Sequence, residues 1–315
     1  MNPAFDPTPA PRGRLARLGV VLHVSSPAEQ HVALAAMCER AGIEVVWFMD
    51  RIGGPRPPED DDAWLRAAAV SPRMSRSGIG AMVDLANRPP TVLAAAAATV
   101  YGPGLPTLEL GVLSYGPATM GYLADLREAL MTHLPERRPR LSGVAMDVGE
   151  IGALLEIVDD LVLPGWRFTD LEAAADEARA EASEAGRDPS SLGVAVLVPV
   201  SIGRTGAEAS ARADGDPLFS HLGHPAEVGI FGTLEECQDR VIALAHAGVT
   251  DVRCILPAAP DVHDVIAQLT AMTVGTTDVL RPGSLRSPAP PPPVGWGGRP
   301  DRPPQPGISG GSKRR

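Results

Sequence analysis

The polar residues of this chain that could do chemistry stand just after apolar runs. His23 and Ser25 follow LGVVL; Asp50 and Arg51 follow EVVWFM; Asp84, Asn87 and Arg88 close GIGAMVDLANR. Further along come Ser114 and Tyr115, then Met146, Asp147, Val148 and Gly149, then Trp166 and Arg167, then Ser201 and Arg204. An Asp-Arg pair can polarise or protonate a bound group, and a histidine can move a proton. The inventory holds no Ser-His-Asp order, no glutamate pair at glycosidase spacing and no His-rich metal cluster. The only lysine, Lys313, lies near the end of the sequence, which removes Schiff-base and phosphate-loop lysine chemistry. Such a set suits chemistry carried by a bound organic cofactor.

Elements able to hold these residues in one place can be read from a repeated grammar. CERAGIEVVWFMD (38–50) and ALAHAGVTDVRCIL (243–256) each run a helix into Ala-Gly and then an apolar strand. Gly42 and Gly248 fall where a helix needs a left-handed residue to stop. The strands after them lack polar alternation, as strands buried on both faces do. Strands are expected at 18–24, 44–49, 77–83, 107–113, 141–146, 160–163, 193–202 and 251–256. Helices are expected at 28–41, 62–70, 91–101, 120–133, 150–158, 170–185, 234–247 and 262–271. Eight strand-helix units predict an α/β fold, a closed (β/α)8 TIM-type barrel, with an open doubly wound sheet as the alternative. In either, chemistry gathers at the carboxyl ends of the strands. The connection 205–232 is long, glycine-punctuated and poorly patterned, and reads as a loop over the barrel mouth.

Composition sets the outer bounds. With 315 residues, 44% of them apolar, and a formal net charge of −10, the chain can fill a large core and offers no surface for nucleic acid or anionic membrane. No signal peptide or membrane span is read, so a cytoplasmic location is expected. The organisation expected is a flexible N-terminal extension at 1–16, a barrel at 17–280 and a disordered tail at 281–315, rich in Pro, Gly and Arg. Seven basic residues in that tail (Arg281, Arg286, Arg299, Arg302, Lys313, Arg314, Arg315) against Asp301 give it about +6 and leave the rest about −16. Cys38, Cys237 and Cys254 stand far apart, with neither disulfide nor metal spacing.

Several of these residues have plainer roles open to them. Asp50 and Arg51 could simply close a strand end as an ion pair, and His23 could be an ordinary hydrogen-bonded histidine. Trp47 and Trp64 read as packing. The acidic run 59–62 reads as a helix cap, and His221 and His224 as loop residues, because Gly223 and Pro225 interrupt a helix there. Ser201 to Gly206, SIGRTG, has the look of a small anion nest with Arg204.

The residues taken together resemble the luciferase-like monooxygenase superfamily of flavin- and deazaflavin-dependent oxidoreductases. The segments that carry the resemblance are AGIEVVWFMDR (41–51), SGIGAMVDLANRPPTVLAAAAATV (77–100), LELGV (108–112), AGRDPSSL (185–192) and GTLEECQDRVIALAHAGVTDVRCIL (232–256). The resemblance implies a cofactor, FMN or the deazaflavin coenzyme F-420, lying across the barrel mouth, a small organic substrate, and a homodimeric assembly. It implies catalytic roles for Asp50, Arg51 and His23. Cofactor contacts would come from Asp84, Asn87, Arg88 and Ser114, and from Asp147, Val148, Gly149 and Arg167 around the phosphate. The motifs depart from the family pattern at three points. Asp147 and Val148 stand where two glycines are common, so an acid would face a phosphate unless Arg167 intervenes. Leu113 and Tyr115 stand where glycines let the ring approach, and Arg51 replaces a frequent histidine. A barrel that has lost its cofactor and serves as a binding or scaffold protein is the alternative; a cofactor-free acid-base enzyme, such as an isomerase, is a third.

Overall fold

The computed structural model describes residues 16–22, 28–50, 62–84, 88–102, 104–113, 118–214, 216, 219, 228–257 and 262–279. The expected N-terminal extension, apart from Ala16, and the expected tail lie outside them. The strands among the described residues are β1 (Arg17–Leu22), β2 (Val45–Met49), β3 (Gly78–Asp84), β4 (Leu108–Leu113), β5 (Arg140–Val144), β6 (Asp160–Pro164), β7 (Gly193–Ile202), β8 (Ile230–Gly232) and β9 (Asp251–Ile255). All pairings are parallel and run in order from β1 to β7; β7 then pairs with β9, and β9 returns to β1. Eight strands therefore close on themselves, and the open-sheet alternative is excluded. The short β8 adds only to the upper half of β7, Val200 to Ile202.

Helices follow the strands: α1 (Ala28–Arg40), α2 (Ala63–Val70), α3 (Pro90–Val100), α4 (Ala118–His133), α5 (Ile151–Leu155), α6 (Leu171–Glu184), α7 (Gly206–Asp214), α8 (Leu234–His246) and α9 (Val262–Val279). Their ends obey local chemistry. Asp62 and Asp170 accept from the amides of Leu65 and Ala173, Thr233 and Glu236 form a reciprocal capping box, and Gly42, Gly186 and Gly248 stop helices at positive φ. The 205–232 connection differs from the expected loop. It contains α7 and β8, two elements too short to show a period: α7 buries only Ala209 and Ala213, and β8 is three residues long.

Alternate strand residues face two different cores. Val20, Val46, Phe48, Ile79, Leu110, Val196 and Cys254 face the helices. Val21, Val45, Trp47, Met49, Met82, Leu113, Val144, Val162, Leu197 and Ile255 fill the barrel itself. Trp47 fits inside because its neighbours lack side chains: a Cβ on Gly80 would stand 2.2 Å from the indole, and one on Gly19 3.0 Å. The Arg253 guanidinium lies over the same indole, 3.8 Å from its ring centre.

The amino end of the barrel is closed by charge instead of hydrocarbon. Arg17 donates to Glu109 at 2.5 Å and to Asp251 at 2.9 Å; Arg253 donates to Asp251 at 3.1 Å and to Ser142 at 3.0 Å and lies 3.8 Å from Glu109. Arg140 binds Asp160 through two nitrogens. Burial alone would raise the Asp160 carboxyl, but Arg140, helped by Arg253 and Arg17, holds it below the usual carboxylate range. Glu109 and Arg253 are fully buried. The network sits at the opposite end from the carboxyl rim, where a barrel's stability residues belong.

Candidate functional site

The carboxyl rim has three parts whose geometry is described. The first joins β2, β3 and α2. Asp50, 3% exposed, sits one residue past β2; its Oδ1 accepts from the amide of Ala63 at 2.7 Å, and its Oδ2 from the amide of Asp84 at 2.8 Å. The carboxylate thus ties the first turn of α2 to the end of β3, and both of its oxygens are engaged by backbone. Asp62 caps α2 with one oxygen and pairs with Arg88 through the other. Tyr122 of α4 donates to the carbonyl of Arg88 at 2.8 Å. Burial pushes its phenol up to about 12, against the lowering pull of Arg88, so it stays neutral and donating. Of the residues expected near a ring, Asp50, Asp84 and Arg88 are therefore brought together, with Asp62 and Tyr122 as supports. Asp62 was legible as a cap; Tyr122 carried no sequence signal.

The second part is the turn after β5. Asp147 and Val148 are exposed, and Gly149 follows in a single 3-10 turn, Val148–Glu150. Glu150 folds back so that its Oε2 accepts from the amide of Met146 at 2.8 Å. Glu150 was not among the expected site residues, and it completes no capping box: Asp147 makes no side-chain cap bond, and Glu150 reaches one residue beyond it. Arg167 is exposed in the turn after β6, the strand beside β5, and makes no ion pair among the described residues. A phosphate fits this turn poorly. A carboxylate already holds the strand-end amide, and a second carboxylate stands beside it.

The third part is the mouth. Met49, Met82, Leu113, Val162, Leu197 and Ile255 form its floor, and Phe219, Phe231 and Trp166 pack against the same cluster. Phe219 and Phe231 meet edge to face, 6.2 Å apart. Close backbone approach builds this side: a Cβ on Gly165 would stand 2.3 Å from the carbonyl oxygen of Val228, and one on Gly229 2.5 Å from that of Pro199. Ser201, fully buried near the end of β7, has a hydroxyl with no hydrogen-bond partner among the described residues. An apolar, aromatic-sided mouth with sparse polar groups fits a flat ring. Arg204 instead turns outward to pair with Glu208, so the expected nest after β7 is closed by a carboxylate.

His23, Ser25, Arg51, Asn87, Ser114, Tyr115, His221 and His224 lie outside the described residues. Burial pushes the Cys38 and Cys237 thiols up to about 12 and Cys254 higher still, so none is a nucleophile. Among the described residues no three metal-ligating side chains gather, and no helix is long and apolar enough to cross a membrane.

The sequence family described as luciferase-like monooxygenase matches residues 14–102, the stretch that carries β1, β2 and β3, and bears out the resemblance drawn from the residues. No curated protein matches the sequence. Among solved structures, the coenzyme F-420 dependent tetrahydromethanopterin reductase from Methanopyrus kandleri is 16% identical, with 83% of this chain and 99% of that one covered at a TM-score of 0.64. A long-chain alkane monooxygenase is 12% identical, covering 83% and 92% at 0.64. A riboflavin lyase solved with modified FMN and riboflavin is 14% identical, covering 84% and 92% at 0.62. At these identities the likeness is one of fold.

Proposed function

Taking a luciferase-like barrel as the premise, we propose that this chain is an oxidoreductase that binds a flavin or deazaflavin, FMN or coenzyme F-420, across its mouth and acts on a small organic substrate. The observation that carries the reading is the apolar mouth above a closed barrel, flanked by the tied Asp50, Asp84 and Arg88 group. The dependence of one neighbour, the tetrahydromethanopterin reductase, on coenzyme F-420, and the modified FMN in the riboflavin lyase, support it. A cofactor of this class supplies hydride transfer and, as FMN, activation of dioxygen. The chain supplies position: Asp50 fixes the end of β3 against α2, Arg88 pairs with Asp62 at the cap of α2, and the Met and aromatic side chains exclude water. Arg51 and His23 are the proposed proton-handling groups, Asn87 and Ser114 further contacts. A cytoplasmic homodimer, with the domain limits given above, completes the proposal.

Titration of purified protein with FMN, riboflavin and coenzyme F-420, read by visible absorbance and fluorescence, is the direct test. Binding of at least one at tens of micromolar or tighter is expected; no binding of any removes the reading.

The turn after β5 favours a second reading, a barrel that binds or scaffolds without turnover, and it makes a prediction that separates ring from phosphate. Replacing Glu150 with Ala frees the Met146 amide and removes a charge from a half-exposed site. The affinity ratio of FMN to riboflavin should then rise on the order of fivefold, a figure already discounted for solvent screening. Riboflavin affinity itself should hardly change. An unchanged ratio would mean that the phosphate, if bound at all, lies elsewhere.

A further inference from the structure

One polar group at the mouth has no partner among the described residues. Residues Ala195 and Leu197 of β7 face the barrel interior, while Val194, Val196, Val198, Val200 and Ile202 face the helices. Ser201 shares the parity of the interior set, so its side chain points inward near the carboxyl end of the strand. Its register partner in β8 is Phe231, whose ring packs on the interior cluster, in keeping with that direction. The residue is fully buried and its hydroxyl makes no hydrogen bond among the described residues. A buried hydroxyl without a partner is disfavoured, and apolar residues of similar size would fill this place without that cost. Such a group in a native interior calls for an occupant that the chain itself does not supply.

We propose that Ser201 anchors the ligand of the barrel mouth, donating its hydroxyl to the polar edge, a ring carbonyl or ring nitrogen, of a planar heteroaromatic molecule whose faces meet Phe231 and the apolar floor. The inference rests on the reading of the mouth as a flavin-type site, and it names the side of the barrel, β7 and β8, on which the ring's polar edge is held. That side lies across the barrel from β3, where Asp84 and Arg88 stand. Such a ligand would be gripped at both ends of its width. The chemistry matches the surroundings: aromatic and Met side chains contact the faces of a ring, and one hydroxyl sets its direction in the plane.

Three proteins decide the matter: wild type, Ser201→Ala and Ser201→Thr. Each is titrated with riboflavin and, separately, with 2-quinolone, a planar lactam with no redox chemistry, read by fluorescence and thermal shift. Ser201→Ala should weaken both ligands about three- to tenfold, the range of one hydrogen bond. Ser201→Thr, which keeps the hydroxyl, should recover most of that loss. Without ligand, Ser201→Ala should melt within about 2 °C of wild type or above it, because no bond is lost. Equal affinity of wild type and Ser201→Ala for both ligands overturns the inference while leaving the proposed function standing. A marked loss of ligand-free stability in Ser201→Ala also overturns it, since the hydroxyl would then have a partner within the fold. Failure of FMN, riboflavin and coenzyme F-420 alike to bind, with 2-quinolone still preferring wild type, removes the proposed function and keeps the inference. If wild type binds neither 2-quinolone nor riboflavin, the inference falls, and the proposed function falls with it only if FMN and coenzyme F-420 also fail to bind.

Discussion

Glu109→Ala should lower the stability of the folded protein by about 3–5 kcal/mol while leaving the affinity of the mouth for a flavin within about twofold of wild type. Glu109 is fully buried among two guanidinium groups, Arg17 at 2.5 Å and Arg253 at 3.8 Å. Truncation leaves Arg253 buried with Asp251 as its remaining carboxylate partner, which Arg17 shares. The cost is that of uncompensated charge, larger than any bond deleted. Replacing both Glu109 and Arg253 by Met should recover much of the loss, because a pair removed together leaves no orphan. Urea unfolding monitored by tryptophan fluorescence reads the first effect, and flavin titration the second. A cost below about 1 kcal/mol would show that the charges are hydrated and the amino end open. The same end sets the acid limit. Asp160 is held below its unfolded value, so its contribution is full above the unfolded carboxylate range and is lost only as pH falls through the lower folded value.

That network also marks what the sequence could and could not reveal. The ring of strands was legible because each strand is apolar on both faces and because Gly42 and Gly248 stop their helices at φ +79° and +91°. Arg17, Glu109, Arg140, Asp160, Asp251 and Arg253 were not legible as a unit. Each stands at or near the start of a strand, and only the closed register brings Arg17 to partners 92 and 234 positions away. The rim shows the same division. Position at a strand end pointed to Asp50, Asp84 and Arg88; the structure joins Asp50 to the Asp84 amide directly and brings in Arg88 through Asp62. What Asp50 does there depends on amides 13 and 34 positions further on, which no local pattern encodes. Glu150 reaching Met146, and β8 setting Phe231 beside Ser201, likewise depend on how a turn folds back.

Asp50→Asn should be a stability and binding variant before it is a catalytic one. The carboxylate accepts two backbone amides at 2.7 and 2.8 Å, lengths typical of charge-assisted bonds. An amide side chain offers one oxygen and sets an NH2 against the second backbone N–H, donor against donor. The expected cost is about 1.5–3 kcal/mol, which for a domain of this size lowers Tm by roughly 3–12 °C. Because the two amides belong to α2 and to the end of β3, the ring contacts proposed for Asp84 and Arg88 should loosen with them. Flavin affinity should drop severalfold, with kcat and KM changing together. A group that instead donated a proton to the reaction would leave Tm and flavin affinity intact and remove one limb of the pH profile of kcat. Measuring Tm, flavin affinity and that profile on the one variant separates the two roles. If Asp50→Asn melts with wild type and binds flavin equally, then its carboxylate is not the tie between β2, β3 and α2, and a direct part in proton transfer becomes the better account of its place at the rim.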